Sequence, residues 1–304
     1  MKRKSGLSKF NIFLSIVLVI CLVATVIIVS RPVKVETTAD EAANEDVSVL
    51  EASFTAGTYG GKDFGSIEDV VNYYNECYNY TKTLTAQYND NGETKTWYKL
   101  VGDEKLEVGS ILIEGSSNSM IDNLVPGIVG GLFTGGVNGL SPSGGREASS
   151  DTRENGTFNC ATSSLTADDV LDASVVDNGD GTIDITIQPK SALLSMAGQD
   201  SQGRFFNSLG DISGVVSSIS VLSFSQGTVA DNFVVNYKGG TGTATIDTAT
   251  GEVVKGTYVM KVHVDVQHAN VAVLKDKSAS LDITYTCNYP ADEAYLAERG
   301  ITRA

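Results

Sequence analysis

The sequence predicts an α+β fold: a curved antiparallel β-sheet, arranged as a meander, with about three helices packed on one face, preceded by a single N-terminal transmembrane helix. Three observations predict it. Residues Phe10–Val29 form a run of 20 residues without a charge. Several later segments carry apolar residues at spacings of three and four, and most of the C-terminal third alternates apolar and polar residues with a period of two.

At ~1.5 Å of rise per residue, the uncharged run covers about 30 Å as a helix, the thickness of a bilayer's hydrocarbon core. Lys2, Arg3, Lys4 and Lys9 precede it, whereas only Arg31 and Lys34 follow before acidic residues take over. This asymmetry predicts residues 1–9 as a cytoplasmic basic tail, 10–30 as the anchor, and the rest of the chain outside the cell membrane. A cleaved signal peptide is the alternative, but its apolar core is about 7–15 residues long and ends at a small-x-small site, which Ser30-Arg31-Pro32 does not offer. Cys21 is preceded by Ile20, where a lipidation signal has a small residue.

Residues 31–63 are acidic, poor in aromatics and without periodicity over most of their length, so they read as a flexible tether. Six of the 22 basic residues lie within positions 1–34 and none of the 37 acidic ones does, which leaves residues 35–304 with a net charge of −21. Such a domain repels nucleic acid and anionic headgroups, which excludes both as partners of the folded part.

A single domain over residues 64–304 follows. Ser66-Ile67-Glu68-Asp69 pairs an N-cap hydroxyl with a carboxylate three residues on and starts a helix that runs to about Lys82. Val70, Tyr73, Cys77 and Tyr80 form one stripe along it, with Ile67, Val71, Tyr74 and Tyr78 beside them, a face suited to core packing or to lining a cavity. Leu84–Tyr88, Thr94–Val101 and Ser110–Glu114 read as strands. Residues 119–140 are apolar but carry Gly127, Gly131, Gly135 and Gly139 four apart, together with Pro126, Asp122, Asn123 and Asn138. Glycine and proline penalise a helix too heavily for a second span, so a flap over the core is expected, with a helix tucked on the core and followed by a loose loop as the alternative, and a mobile polar loop at 141–159 comes next.

Thr166-Ala167-Asp168-Asp169 offers a second capping box, for one or two turns. Asp172–Asp177 and Thr182–Gln188 alternate as two strands around the turn Asn178-Gly179-Asp180-Gly181. Phe205, Leu209, Ile212, Val216 and Ile219 predict a third helix. Strands then follow at Asn232–Lys238, Thr243–Asp247, Glu252–Gln267, Asn270–Lys275 and Ser280–Asn288, with a turn at Thr248–Gly251 and a short terminal helix within Ala291–Arg299. In the long strand Tyr258, Met260, Val262, Val264 and Val266 face one way and Lys261, His263, Asp265 and Gln267 the other, so one side of the sheet is apolar and the other wet.

Chemistry-bearing motifs are sparse. Asp177–Thr182 resembles the centre of a calcium loop, but aligning Gly181 with the invariant glycine puts Val176 and Ile187 where the end carboxylates belong; a turn is expected. His263 and His268, the two histidines, are separated by an odd number of residues and face opposite sides of a strand, so they share no metal without a bulge. His263 and Asp265 share the wet face, with no nucleophile recognisably beside them. Cys77, Cys160 and Cys287 permit one disulfide and one thiol, or three thiols, and no Cys/His cluster supports a metal site. The glycines at 127–139 lack the spacing and lysine of a phosphate loop. Neither a cofactor nor a metal is expected. Asn79-Tyr80-Thr81 and Asn155-Gly156-Thr157 match glycosylation acceptors, the first within a helix.

In layout, over residues 64–289, the chain resembles the half-barrel lipoprotein carriers, and its segment Ile246-Asp247-Thr248-Ala249-Thr250-Gly251-Glu252-Val253 is similar to a hairpin of those domains. It also resembles membrane-anchored ectodomains of Gram-positive bacteria. The carrier resemblance implies a cavity for an acyl chain between sheet and helices, although the lipidation motif is missing. The resulting expectation is a non-catalytic, membrane-tethered extracytoplasmic domain that binds a lipid or other amphipathic ligand through Tyr73, Tyr74, Leu124, Ile128, Leu132 and Phe133. The alternative is a cell-surface module with a filled core that meets a protein partner. A hydrolase using His263 and Asp265 is the third reading.

Overall fold

The computed structural model describes residues 50, 53–117, 136–142, 145–147, 162–207, 222–271 and 274–304. The anchor at 10–30, most of the tether, most of the 119–140 flap and the 141–159 loop, and Cys160 lie outside the described residues. Among those described, no helix is long and apolar enough to cross a membrane.

A small hairpin, β1 (Gly57–Tyr59) and β2 (Lys62–Phe64), lies largely inside the stretch expected to be tether. Helix α1 (Ile67–Thr83) follows where Ser66 predicts it. The Ser66 hydroxyl accepts the Asp69 amide at 3.2 Å, and the Asp69 carboxylate accepts the Gly65 and Ser66 amides at 2.9 Å, so the expected capping box is closed. Strands β3 (Thr85–Asp90) and β4 (Glu93–Tyr98) form a hairpin turned at Asn91-Gly92, both at positive φ. The single strand expected at Thr94–Val101 breaks instead at Lys99-Leu100, and β5 (Val101–Val108) joins a different sheet.

Short strands β6 (Leu112–Ile113), β7 (Ser116–Ser117) and β8 (Val137–Gly139) follow. The end of the expected flap is thus a strand, paired through Val101–Asp103 of β5, with Val137 and Leu140 buried. The Thr166 box produces a 3₁₀ turn, Ala167–Asp169, leading into β9 (Val170–Asp177), β10 (Thr182–Pro189) and β11 (Ala192–Leu193). Strand β12 (Leu222–Phe224), a four-residue helix α2 (Val229–Asn232), β13 (Phe233–Tyr237), β14 (Thr241–Asp247), β15 (Val253–Val271) and β16 (Leu274–Tyr289) follow, then α3 (Glu293–Ala297) and β17 (Ile301–Arg303).

Twelve of these strands form one antiparallel sheet with the path β7-β6-β16-β15-β14-β10-β9. Strand β15 is its spine: one edge pairs with β16 and the other in turn with β14, β13 and β12. The strand expected at 252–267 runs on to Val271 through irregularities at Val266/Ala269 and Ala269/Val271, so the strand expected at 270–275 is divided: Asn270 and Val271 end β15, and Leu274 and Lys275 begin β16. The predicted faces hold: Tyr258, Met260, Val262, Val264 and Val266 are buried while Lys261 and Gln267 are exposed.

The helical cover differs from the expectation of three helices. Among the described residues only α1 is long; the region around Phe205 forms hydrogen-bonded turns from Asp200 to Phe206, and the remainder of the expected third helix lies outside the described residues. Turns suffice because Phe205 is buried from them against Tyr74 and Tyr258, with Phe206 buried against Phe205. A second, smaller core of Tyr88, Trp97, Tyr98, Val101, Val137, Ala291, Leu296 and Ile301 joins the separate three-stranded sheet β17-β3-β4 to α3, β5 and β8.

Ile301 ties the last strand into that core at 2% exposure, so Ile301→Ala is expected to destabilise the domain by about 2–4 kcal/mol, whereas Val176→Ala, at a site 50% exposed, changes stability by less than about 0.5 kcal/mol. Chemical denaturation measured side by side checks the contrast.

Candidate functional site

The two tyrosines expected at a ligand site are consecutive on α1 and therefore stand about 100° apart around its axis. Tyr74 enters the main core: its ring centroid lies 5.9 Å from Phe205 and 6.1 Å from Tyr78, and its hydroxyl is 2.7 Å from that of Tyr258. Phe205 in turn lies 5.3 Å from Tyr258 and 4.9 Å from Phe206, and Tyr258 meets Tyr289 edge-on at 5.7 Å. Gly242 makes room for this cluster, since a Cβ there would stand 2.5 Å from Phe205 and 2.7 Å from Tyr258. The Tyr78 hydroxyl donates to the Pro142 carbonyl at 2.8 Å and that of Tyr289 to Gly139 at 3.0 Å. Burial holds the Tyr74 and Tyr258 phenols well above their ordinary range, so this polar thread through the core is neutral.

Tyr73 instead leans on the β1–β2 hairpin, edge-on to Phe64 at 5.5 Å with the Lys62 ammonium 5.7 Å from its ring centre. Leu124, Ile128, Leu132 and Phe133 lie outside the described residues. Of the six ligand-contact residues expected, Tyr74 thus lines the space between helix and sheet and Tyr73 a neighbouring edge.

On the polar face of the sheet, His263 of β15 lies opposite Asp282 of β16. Its Nδ1 is 2.7 Å from Asp282 Oδ1 and its Nε2 3.4 Å from Asp265 Oδ2. Both ring nitrogens therefore face carboxylates, an arrangement that leaves neither turned to a hydroxyl or thiol. Asp282 was invisible to a reading of one strand, because only the register between strands brings it in. His268 sits at the bulge with φ of 53° and meets Asp276 at 2.8 Å, while Asp276 also accepts from the Ser225 hydroxyl. The two histidines serve different carboxylates, and among the described residues no three His, Cys, Asp or Glu side chains are arranged to hold a metal ion.

The calcium-loop likeness resolves as a turn. Asp177 accepts the Gly179 and Gly60 amides, each at 2.8 Å, and Asp180 accepts the Thr182 amide at 3.0 Å and its hydroxyl at 2.7 Å. Those bonds lower both carboxyl pKa values and commit the oxygens to the chain itself.

Two groupings were not anticipated. Glu104 on β5 accepts hydrogen bonds from Asn138 of β8, the Tyr285 hydroxyl and the Gly136 amide, yet burial outweighs them and holds its carboxyl above the usual range. Cys287, paired across the ladder with Glu104, is a buried free thiol pushed upward by burial; Cys77, the other described thiol, is also free and is raised by burial to about 11. Second, an open cleft of about 620 Å³ lies beside the smaller core, lined by Asp90, Asn91, Arg146, Glu298, Arg299 and Ile301 together with the start of β8. Its lining comes from four separate stretches of chain, so no local pattern could announce it.

No protein-family model matches the chain, and no curated protein or solved structure matches it either.

Removing one member of the buried hydroxyl pair leaves the other without a partner, so Tyr74→Phe or Tyr258→Phe alone is expected to cost about 1–3 kcal/mol and the double variant less than the sum; a double-mutant cycle by denaturation reads this. Glu104 is bound to its proton more tightly folded than unfolded, so its contribution to stability is greatest below pH 4.5 and is lost as pH rises through the folded-state value. Glu104→Gln is expected to flatten the fall in melting temperature between pH 4.5 and 7, and an unchanged pH profile would contradict the assignment.

Proposed function

We propose that the chain is a non-catalytic interaction module of the cell surface, tethered by residues 10–30, held off the bilayer by the acidic stretch after them, and presenting the polar face of its sheet to a protein partner. The packing beneath α1 carries this reading. Tyr74, Phe205, Phe206, Tyr258 and Tyr289 occupy the space between helix and sheet ring against ring, and the Tyr74–Tyr258 hydroxyl pair at 2.7 Å satisfies the polar atoms within it. A carrier would use that space for an acyl chain.

The outer face supports the same reading. Across four strands the register sets Leu193, Asn236, His263 and Asp282 in one row, and Val234 lies opposite Asp265 in the next. Leu193 and Val234 are 44% and 43% exposed there, apolar side chains set among charged ones, as at the contact surfaces of transient complexes.

The test uses intact cells carrying the full chain with a photo-crosslinker at Lys261 on this face, or at Glu93 on the other sheet as a control. A protein captured from Lys261 and not from Glu93 is the expected result, with the domain digested by protease added outside. Equal capture from both positions, a protected domain, or saturable uptake of a fluorescent fatty acid by the delipidated protein would each overturn the reading, the last in favour of lipid binding.

A further inference from the structure

We propose that the cleft beside the smaller core binds a planar, singly charged carboxylate, carried by a small molecule or by a peptide terminus, and that Arg146 is the group that recognises it. The cleft's volume of about 620 Å³ falls within the ~300–1,000 Å³ of small-ligand sites. The Arg146 guanidinium carbon lies 4.2 Å from the centre of the Trp97 ring, and its Nη2 donates to Asp90 at 2.9 Å. A guanidinium carries five N–H donors in one plane. The indole below and the carboxylate beside it fix that plane before any ligand arrives, with Asp90 taking one edge.

Pre-orientation is what a carboxylate-binding fork needs, because two parallel N–H···O bonds require planes that already match. Trp97 is fully buried and stacked on Tyr88 at 4.8 Å, so the platform is rigid. A second guanidinium, Arg299, also lines the cleft, held 3.5 Å from the centre of the Tyr295 ring and donating to the Tyr295 carbonyl at 3.0 Å.

The charges around the cleft set the ligand class. Arg146 and Arg299 face Asp90 and Glu298, two cations against two anions, within a domain whose residues 35–304 sum to −21. The cleft is therefore a neutral place on an acidic body, tolerant of one added negative charge. A dianionic phosphate would meet both carboxylates and lacks the planar shape of the fork.

This inference goes beyond the surface-module reading and is built on other elements, so either stands if the other fails. Trp97 is the sole tryptophan of the chain, which makes its fluorescence a reporter for the guanidinium above it. The full chain in detergent micelles is titrated at constant ionic strength with acetylglycine, and in parallel with acetylglycinamide, inorganic phosphate and sodium chloride. A saturable change in emission with acetylglycine alone, weakened at least about tenfold in Arg146→Lys, is the expected result. No saturable change, an equal response to the amide or to chloride, a tighter response to phosphate, or an undiminished response in folded Arg146→Lys overturns the proposal. If Arg146→Lys loses its circular dichroism, the acid-against-amide comparison on the unaltered chain decides.

Discussion

The register of β15 against its neighbours governs the molecule. This 19-residue strand is bonded along one edge to β16 and along the other to three strands in succession, so its alternation sets the alternation of much of the sheet. A slip by one residue would turn Tyr258, Met260, Val262, Val264 and Val266 out to water and bring Lys261 and His263 into the core. The core partners then follow from position: Tyr258 reaches Tyr74 on α1, and His263 reaches Asp282 on the other side. Both contacts join residues far apart in sequence, yet neither needs a specific local conformation beyond the ladder itself.

The core solves a problem posed by its own composition. Tyrosine supplies large rings for packing but carries a hydroxyl that must find a partner when buried. Here the Tyr74 and Tyr258 hydroxyls pair with each other, while those of Tyr78 and Tyr289 donate to carbonyls at or just after the end of β8, Pro142 and Gly139 respectively. Glycine then supplies the clearance: a Cβ at Gly102 would stand 2.5 Å from the Tyr289 ring, so β5 passes over that ring only as glycine. Rings, carbonyls and glycines form a set in which each member constrains the others.

Long elements with strong periodicity were legible in the sequence. Ser66 and Asp69 announced α1, the 178–181 turn announced β9–β10, and strict alternation announced β13 to β16. What escaped was structure made by a partner rather than by its own residues. Strands β1, β2, β8 and β17 have three residues each, too few for a period, and exist because β5, β3 or each other accept their bonds. Around His268 the alternation falters, which reads as the end of a strand and is a bulge within one. The apolar spacing from Phe205 onward reads as a helix, yet its first residues are turns that bury two phenylalanines. Of the candidate sites, the His263–Asp265 pair was readable within one strand, while Asp282, Glu104 with Asn138, and the cleft around Arg146 depend on strand order and so could not be read along the chain.

In the central sheet β5 lies against β16, where Glu104 stands opposite Cys287 with about 180 residues of intervening chain. Contacts of such span raise the contact order of the fold, which slows folding. A growing polypeptide therefore holds the residues of α1 and of the β3–β4 hairpin long before those of β16 are made. Translation must pass residue 289 before this architecture can assemble at all, a delay that keeps a nascent copy open and threadable for as long as it is being synthesised.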